Sequence, residues 1–303
     1  MTGKGRMALG LMRLEKTSVD QLVTLLHQSY DLGIREIDIA DVYMNGQSEQ
    51  KLGEAFAKEP GLRDRFFLQT KAGIVRDSAG NNSHYDFSRA HILEAVDGSL
   101  KRLNTDHVDS LLLHRPDIFA DANEVGEALN ELHRQGKVAH FGVSNFPIQM
   151  IEYLSKGLGE LKFETGQYQI GLGHANLFAD VVNTNNLNPG HESLAPNLFF
   201  YFKEKNMDLE AWSPLQVEFF KGNVLTDPGY SKTQAKLREL AEKYHSTPSG
   251  IATSFITTPW NGIRVVTGSV NIDHIKEALE GTAIRLSKAD WYSLYAASGN
   301  LLP

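Results

Sequence analysis

The chain has 303 residues, 41% hydrophobic and 22% charged, which suits a globular protein with a large core. Its formal charge of −7 argues against a general nucleic-acid or anionic-membrane surface. It has no cysteine, so disulfides, thiolate metal sites and cysteine nucleophiles are excluded.

The opening stretch, MTGKGRMALGLMRLEK, has too short an apolar run for a signal peptide or a membrane span, so a cytoplasmic location is expected. Beyond it, short apolar runs alternate with longer amphipathic ones. Strands are predicted at Met7–Leu11, Glu36–Ala40, Phe66–Lys71, Val108–His114, Val138–Ser144, Thr165–Ile170, Asp208–Trp212 and Ile263–Thr267. Helices are predicted between them at 18–32, 47–58, 88–103, 122–136, 147–156, 195–205, 231–245 and 272–281. Ser88 offers a helix start, and Gly33 and Gly136 sit where helices should stop. Strict alternation argues for a parallel sheet with helices outside, and eight repeats argue for a closed (β/α)8 barrel, read as one domain over 1–303. An open doubly wound sheet is the alternative. Residues 171–194 and 214–230 read as long loops, while 248–258 and 287–298 read as extra helices near the C-terminus.

Active sites of such barrels lie at the C-terminal ends of the strands. Asp38 falls near the end of the second strand with Tyr43 just beyond, Lys71 ends the third, and His114 ends the fourth. Strand alternation places Lys71 on one face with Gln69, and Asp38 opposite Ile37 and Ile39. Each residue alone has a plain structural explanation: a turn former, a solvated charge, a core imidazole, a packing ring. Together on three consecutive strand ends they form a pattern. Asp38 and Lys71 would relieve each other's burial as an ion pair. Lys71 beside Tyr43 would lower the phenol's pKa and fit it for proton transfer near neutral pH. His114 could then orient a substrate oxygen.

The stretch IDIADVYMNGQSEQKLGEAF resembles the aldo/keto reductase signature, with an Asp, a Tyr five residues on, then Ser-Glu and Leu-Gly. QTKAGI, LLLHRPD, HFGVSNF and AWSPL follow in that family's order and at its spacing, and the likeness runs from about residue 7 to 298. The pattern is similar to the bacterial branch carrying LLLHRPD and a short C-terminal tail. The resemblance implies a catalytic tetrad of Asp38, Tyr43, Lys71 and His114. In it Tyr43 is the general acid, and hydride passes from NADPH to the carbonyl carbon of a small aldehyde or ketone.

No Gly-rich dinucleotide fingerprint is present: Gly171-Leu-Gly173 has two of the three glycines and no well-placed acid after it. Barrels bind phosphate at the loops after strands seven and eight and at a helix N-terminus. Here Gly268, Ser269 and Asn271 precede a helix, and a routine helix cap explains them equally well on local sequence. The resemblance favours the phosphate reading. It also carries Ser144, Asn145 and Gln167 to the nicotinamide amide, Trp212 to stacking on the nicotinamide ring, and Ser213 and Leu215 to the pyrophosphate side. Two departures bear on the cofactor. His274 stands where the family often has an Arg for the 2′-phosphate, and Ala278 where it often has an Asn on the adenine, although Glu277 keeps the neighbouring acid. NADPH is the expected cofactor, with NADH as the alternative.

The substrate pocket is expected to include Met12, Tyr43 and His114, with weaker claims for Tyr85, Tyr292 and the aromatics at 219–220. No metal site is expected, because neither His-x-His nor His-Glu-x-x-His occurs. A nucleotide-binding redox-sensing module with little turnover is the rival function. A metal-dependent hydrolase and a cofactor-independent isomerase are more remote rivals. Nothing in the sequence sets an oligomeric state.

Overall fold

The computed structural model describes residues 5–77, 79–184, 197–217 and 221–303. Its backbone falls into two compact units, Met1–Gln167 and Tyr168–Pro303. The first carries strands β1 (Met7–Gly10), β2 (Glu36–Asp38), β3 (Phe67–Ala72), β4 (Ile74–Arg76), β5 (Asn82–Tyr85), β6 (Val108–Leu113) and β7 (Val138–Ser144). Strand β8 (Phe163–Gln169) follows. Helices α1 (Val19–Asp31), α2 (Gln47–Lys58), α3 (Arg89–Leu103), α4 (Ala122–Arg134) and α5 (Ile148–Ser155) alternate with the strands. The second unit holds α6 (Asn176–Val182), α7 (Leu198–Lys205), β9 (Asp208–Trp212), α8 (Ser231–Lys243), α9 (Pro248–Thr257), β10 (Ile263–Thr267), α10 (Ile272–Gly281) and α11 (Lys288–Ala297). Eight of the strands close into a barrel in the order β1-β10-β9-β8-β7-β6-β3-β2. This is the (β/α)8 arrangement expected from the alternation, and the open doubly wound sheet is set aside.

The helix boundaries follow local chemistry. Ser18 and Gln21 cap α1 reciprocally, Ser18 Oγ accepting from the Gln21 backbone N–H and the Gln21 side chain from that of Ser18. Ser88 Oγ accepts from His91 N to start α3, and Asp121 caps α4 through the backbone N–H groups of Asn123 and Glu124. Gly33 and Gly136 lie just past α1 and α4 with φ of 89° and 70°, a conformation a side chain would resist. Helix α2 seats against α3 through Gly53, where an added Cβ would fall 2.1 Å from the Arg102 carbonyl oxygen.

One local element is added and one expectation is corrected. A short antiparallel hairpin, β4 with β5, follows β3 in a stretch where the sequence predicts neither strand nor helix; Asp77 Oδ1 tightens its turn by accepting from Ala79 N and Asn81 N, each at 2.9 Å. Within the expected loop 171–194, residues Asn176–Val182 form α6. Phe178 drives that helix inward: its ring meets the edges of Phe199, Phe255 and Trp291 at 5.5–5.8 Å. Trp291 itself is core, stacked on Phe255 at 4.8 Å and donating Nε1–H to the Phe255 carbonyl at 2.8 Å. Tyr292 beside it is half-exposed on α11, and residues 185–194 and 219–220 lie outside the described residues.

Candidate active site

In the first unit, β2, β3 and β6 run side by side, with Asp38 paired to Gln69 and Lys71 to Leu112 in the ladder. Their C-terminal ends therefore bring Asp38, Lys71 and His114 together, although Asp38 and His114 lie far apart in sequence. Lys71 is fully buried, and each direction its ammonium can donate is used. Its Nζ lies 2.7 and 2.8 Å from the two Asp38 carboxylate oxygens, 2.9 Å from the Ile39 carbonyl and 3.2 Å from Tyr43 Oη. The Tyr43 oxygen accepts from Lys71, which directs its own O–H proton elsewhere. The His114 ring stands edge-on to the Tyr43 ring, with centroids 5.7 Å apart and planes at 80°.

The electrostatics correct one expectation. Burial pushes the Tyr43 phenol above its ordinary value, and the opposing pull of Lys71 does not reverse this. The phenol is thus a firm proton carrier at neutral pH rather than a group poised to ionise there. Burial also works against the Lys71 charge, but Asp38 and Tyr43 outweigh it and hold the ammonium protonated. Burial drives His114 well below the ordinary imidazole range, with Lys71, Arg115 and Arg76 pushing the same way, so its ring is neutral.

Tyr43 opens a turn of unusual backbone. Met44, Asn45 and Gly46 follow in succession with φ of 52°, 56° and 84°. Asn45 Oδ1 accepts from Arg76 of the hairpin, and Arg102 of α3 holds buried Glu49 at 2.8 Å. Behind this turn lies a polar cavity of about 590 Å³ whose lining includes Asp41, Arg76, His91 and Arg102. Burial, reinforced by Glu49, raises the Asp41 carboxyl to about 8.

The remaining predicted residues of the first unit also sit at strand ends. Ser144 is buried at the end of β7. Asn145 follows with φ of 63°, its amide donating to Ser144 Oγ at 2.8 Å. Gln167 on β8 directs its amide nitrogen to Asp38 Oδ1 at 2.9 Å. Met12 is half-buried after β1, with its carbonyl accepting from Ser48. Tyr85 is 40% exposed at the end of the hairpin.

In the second unit, Trp212 ends β9 half-buried, and Ser213 continues with φ of 49°. The Leu215 carbonyl accepts from Val224 N at 2.9 Å. After β10, Gly268 borders open space, and Ser269 Oγ accepts from Asn271 N at 3.1 Å. Asn271 Oδ1 caps α10 by accepting from Asp273 N, so this side chain already serves as a helix cap. His274 is exposed on the first turn of α10, and Glu277 accepts weakly from Thr247 Oγ1 at 3.4 Å.

Residues 6–298 match the sequence model of the aldo/keto reductase family. The chain belongs to the aldo/keto reductase family. Like its curated relatives it is an oxidoreductase. A 6-dehydroglucose reductase of Agrobacterium fabrum is 32% identical over 87% of this chain and 82% of its own. The Escherichia coli oxidoreductase YdhF is 30% identical over 97% of this chain and 93% of its own. In fold, this aldo/keto reductase is similar to a thermostable aldo-keto reductase crystallised with the inhibitor epalrestat, at a TM-score of 0.75 and 22% identity over 96% of this chain and 94% of that one. Among the described residues no helix is long and apolar enough to cross a membrane, and no three His, Asp or Glu side chains group as a metal site.

Reading the sequence missed two polar residues of this site. Gln69 shares the Lys71 face, and its amide donates to Asp38 Oδ1 at 3.0 Å. Asp41 is a lone acid in the polar DVYMNG turn, and nothing in that stretch of sequence signals its burial.

Proposed function

We propose that this aldo/keto reductase reduces an aldehyde or ketone to an alcohol with NADPH, and that Tyr43 is the proton donor. The observation that carries this reading is the Lys71–Tyr43 arrangement. A buried, permanently charged ammonium donates to the phenol oxygen, which leaves the phenol proton available to a substrate oxygen. As the carbonyl becomes an alkoxide, Tyr43 releases its proton and Lys71 stabilises the phenolate left behind. Asp38 keeps Lys71 charged and aimed. Neutral His114, beside the Tyr43 ring, sets the direction from which the carbonyl oxygen arrives and does not compete as an acid.

NADPH bound to the chain would supply the hydride. The residues suit such a group. Ser144 and Asn145 place a hydroxyl and an amide at one strand end for the nicotinamide amide, and half-buried Trp212 offers a ring face. The backbone at Gly268 borders open space just before α10, which leaves room for a phosphate. His274 is the candidate for the 2′-phosphate, with Glu277 toward the adenine. An imidazole cannot make the bidentate contact of a guanidinium to a phosphate, so preference over NADH should be modest. The 6-dehydroglucose reductase among the relatives points the substrate search toward small hydroxylated aldehydes. The net charge of −7 disfavours a nucleic-acid or anionic-membrane partner and supports an enzyme acting on small molecules.

Titrating NADPH and NADH by protein fluorescence, then adding an aldehyde panel to the tighter complex, tests the proposal. Quenching with aldehyde-dependent NADPH oxidation supports it. Quenching without oxidation of cofactor by any aldehyde would favour the redox-sensing module instead.

A further inference from the structure

Asp38 is held by more than its lysine. Its Oδ1 accepts from Lys71 at 2.7 Å, from the Gln69 amide at 3.0 Å and from the Gln167 amide at 2.9 Å. Oδ2 accepts from Lys71 at 2.8 Å. All four side chains are buried, Asp38 at 3% exposure, Gln167 at 2% and the other two at 0%. The two amides approach from different strands. Gln69 lies on β3, directly paired with Asp38 in the ladder. Gln167 lies on β8, which follows β3, β6 and β7 around the barrel, so its amide reaches across the interior.

We infer that Gln69 and Gln167 are positioning residues: together they fix the Asp38 carboxylate so that it aims the Lys71 ammonium at Tyr43. The inference rests on the proton-donor reading of Tyr43. A carboxylate held by one lysine can rotate about its own axis and carry the ammonium with it. Amides from two strands remove that freedom. The consequence falls on the longest link of the chain, the 3.2 Å contact from Lys71 to Tyr43, which has least to lose before it breaks.

The groups facing the Tyr43 phenol are Lys71 of β3, Asp38 of β2, and His114 and Arg115 just past β6, with Tyr85 of β5 facing Arg115. Removing either amide should raise the phenol's pKa for two reasons of the same sign. The Lys71 contact that lowers it weakens, and the Asp38 charge that raises it is less shielded. The decisive variant is Gln69→Met, which keeps side-chain length and loses the donor. Single-turnover reduction at saturating NADPH, followed across pH, is expected to slow about tenfold or more, with the alkaline limb moved upward and NADPH affinity unchanged. Gln69→Glu, which sets a second carboxylate against Asp38, should be worse than Gln69→Met. If Gln69→Met does not fold, the same limb is read in Gln167→Met under saturating cofactor. A loss of melting temperature with the limb in its wild-type place would overturn the inference and leave a packing role. Tyr43→Phe, run beside it, separates the two claims. Retained turnover there would sink the proton-donor reading, whereas lost turnover with an unmoved limb in Gln69→Met would sink the positioning role alone.

Discussion

Lys71 is the residue on which the site's electrostatics turn. Burying an ammonium costs several kcal/mol unless the interior supplies compensating partners. Here a carboxylate, a carbonyl and a phenol oxygen do so. Lys71→Met leaves Asp38 as a buried charge without its cation and takes the stabilising charge away from any Tyr43 phenolate. We expect kcat to fall by about 10²-fold or more. The surviving alkaline limb should lie above the wild-type one, because the largest influence that lowers the phenol's pKa is gone. An unchanged limb would mean that Lys71 does not reach Tyr43 in solution. His114→Ala removes a neutral ring rather than a charge. It should disturb KM and kcat for the carbonyl while NADPH affinity stays within about twofold of wild type. Equal losses in carbonyl turnover and cofactor affinity would contradict a substrate-side role. At this scale Asp38, Tyr43, Lys71 and His114 were legible in the sequence because polar residues at strand ends break the apolar pattern. The sign of the Tyr43 shift was not, because it depends on how deeply the ring is covered. A lysine's neighbourhood can be read from sequence spacing, but desolvation cannot.

The turn Tyr43–Gly46 and helix α2 form one element mechanically. Met44 and Asn45, left-handed in succession before Gly46, are strained unless their surroundings fix them. The fixing contacts are Arg76 to Asn45, Arg102 to Glu49, and the close seating of α2 on α3 at Gly53. Gly53→Ala would push a methyl into the Arg102 carbonyl and lift α2. Urea unfolding should show a loss of about 1–3 kcal/mol. Turnover should fall as well, since Tyr43 opens the same segment. A variant as stable as wild type would show that α2 and α3 can part at no cost. On α10, His274→Arg should increase the NADPH-to-NADH affinity ratio about tenfold. An unmoved ratio would place the 2′-phosphate elsewhere. Most of the eight barrel strands were readable as short runs rich in apolar residues, and β8, the polar FETGQYQ, by its place in the alternation of strand and helix. The hairpin was not: NSHY has no alternation, and the three residues of IVR are parted from β3 by Gly73 alone. Helix α6 was hidden by the Gly- and Asn-rich residues flanking it, although Leu177 and Phe178 are what bury it.

For the molecule as a whole, the alternation of strand and helix made the barrel legible before any contact was seen. What it hid is the polar cluster behind the Tyr43 turn. Asp41 titrates at about 8 when folded, against 3.8 for an ordinary Asp. Between those values the folded protein holds a proton that the unfolded chain has lost. The contribution is therefore fully present below the unfolded pKa and is lost as pH rises through the folded one. The slope can reach about 1.4 kcal/mol per pH unit for one proton. Urea unfolding at a series of pH values from 5 to 9 should show stability falling toward 8. Asp41→Asn, neutral throughout, should flatten that fall, and an equally steep decline in the variant would assign the dependence to another group.

In the proposed reaction Tyr43 hands its proton to a carbonyl oxygen. The measurement that tests it most directly is aldehyde-dependent NADPH oxidation by Tyr43→Phe, with NADPH affinity determined on the same sample. Loss of the phenol oxygen removes the proton and leaves the ring's packing in place. Turnover should fall by about 10²–10⁴-fold with NADPH still bound as tightly as in wild type. Turnover near the wild-type rate would contradict it, because the proton would then have to come from another group.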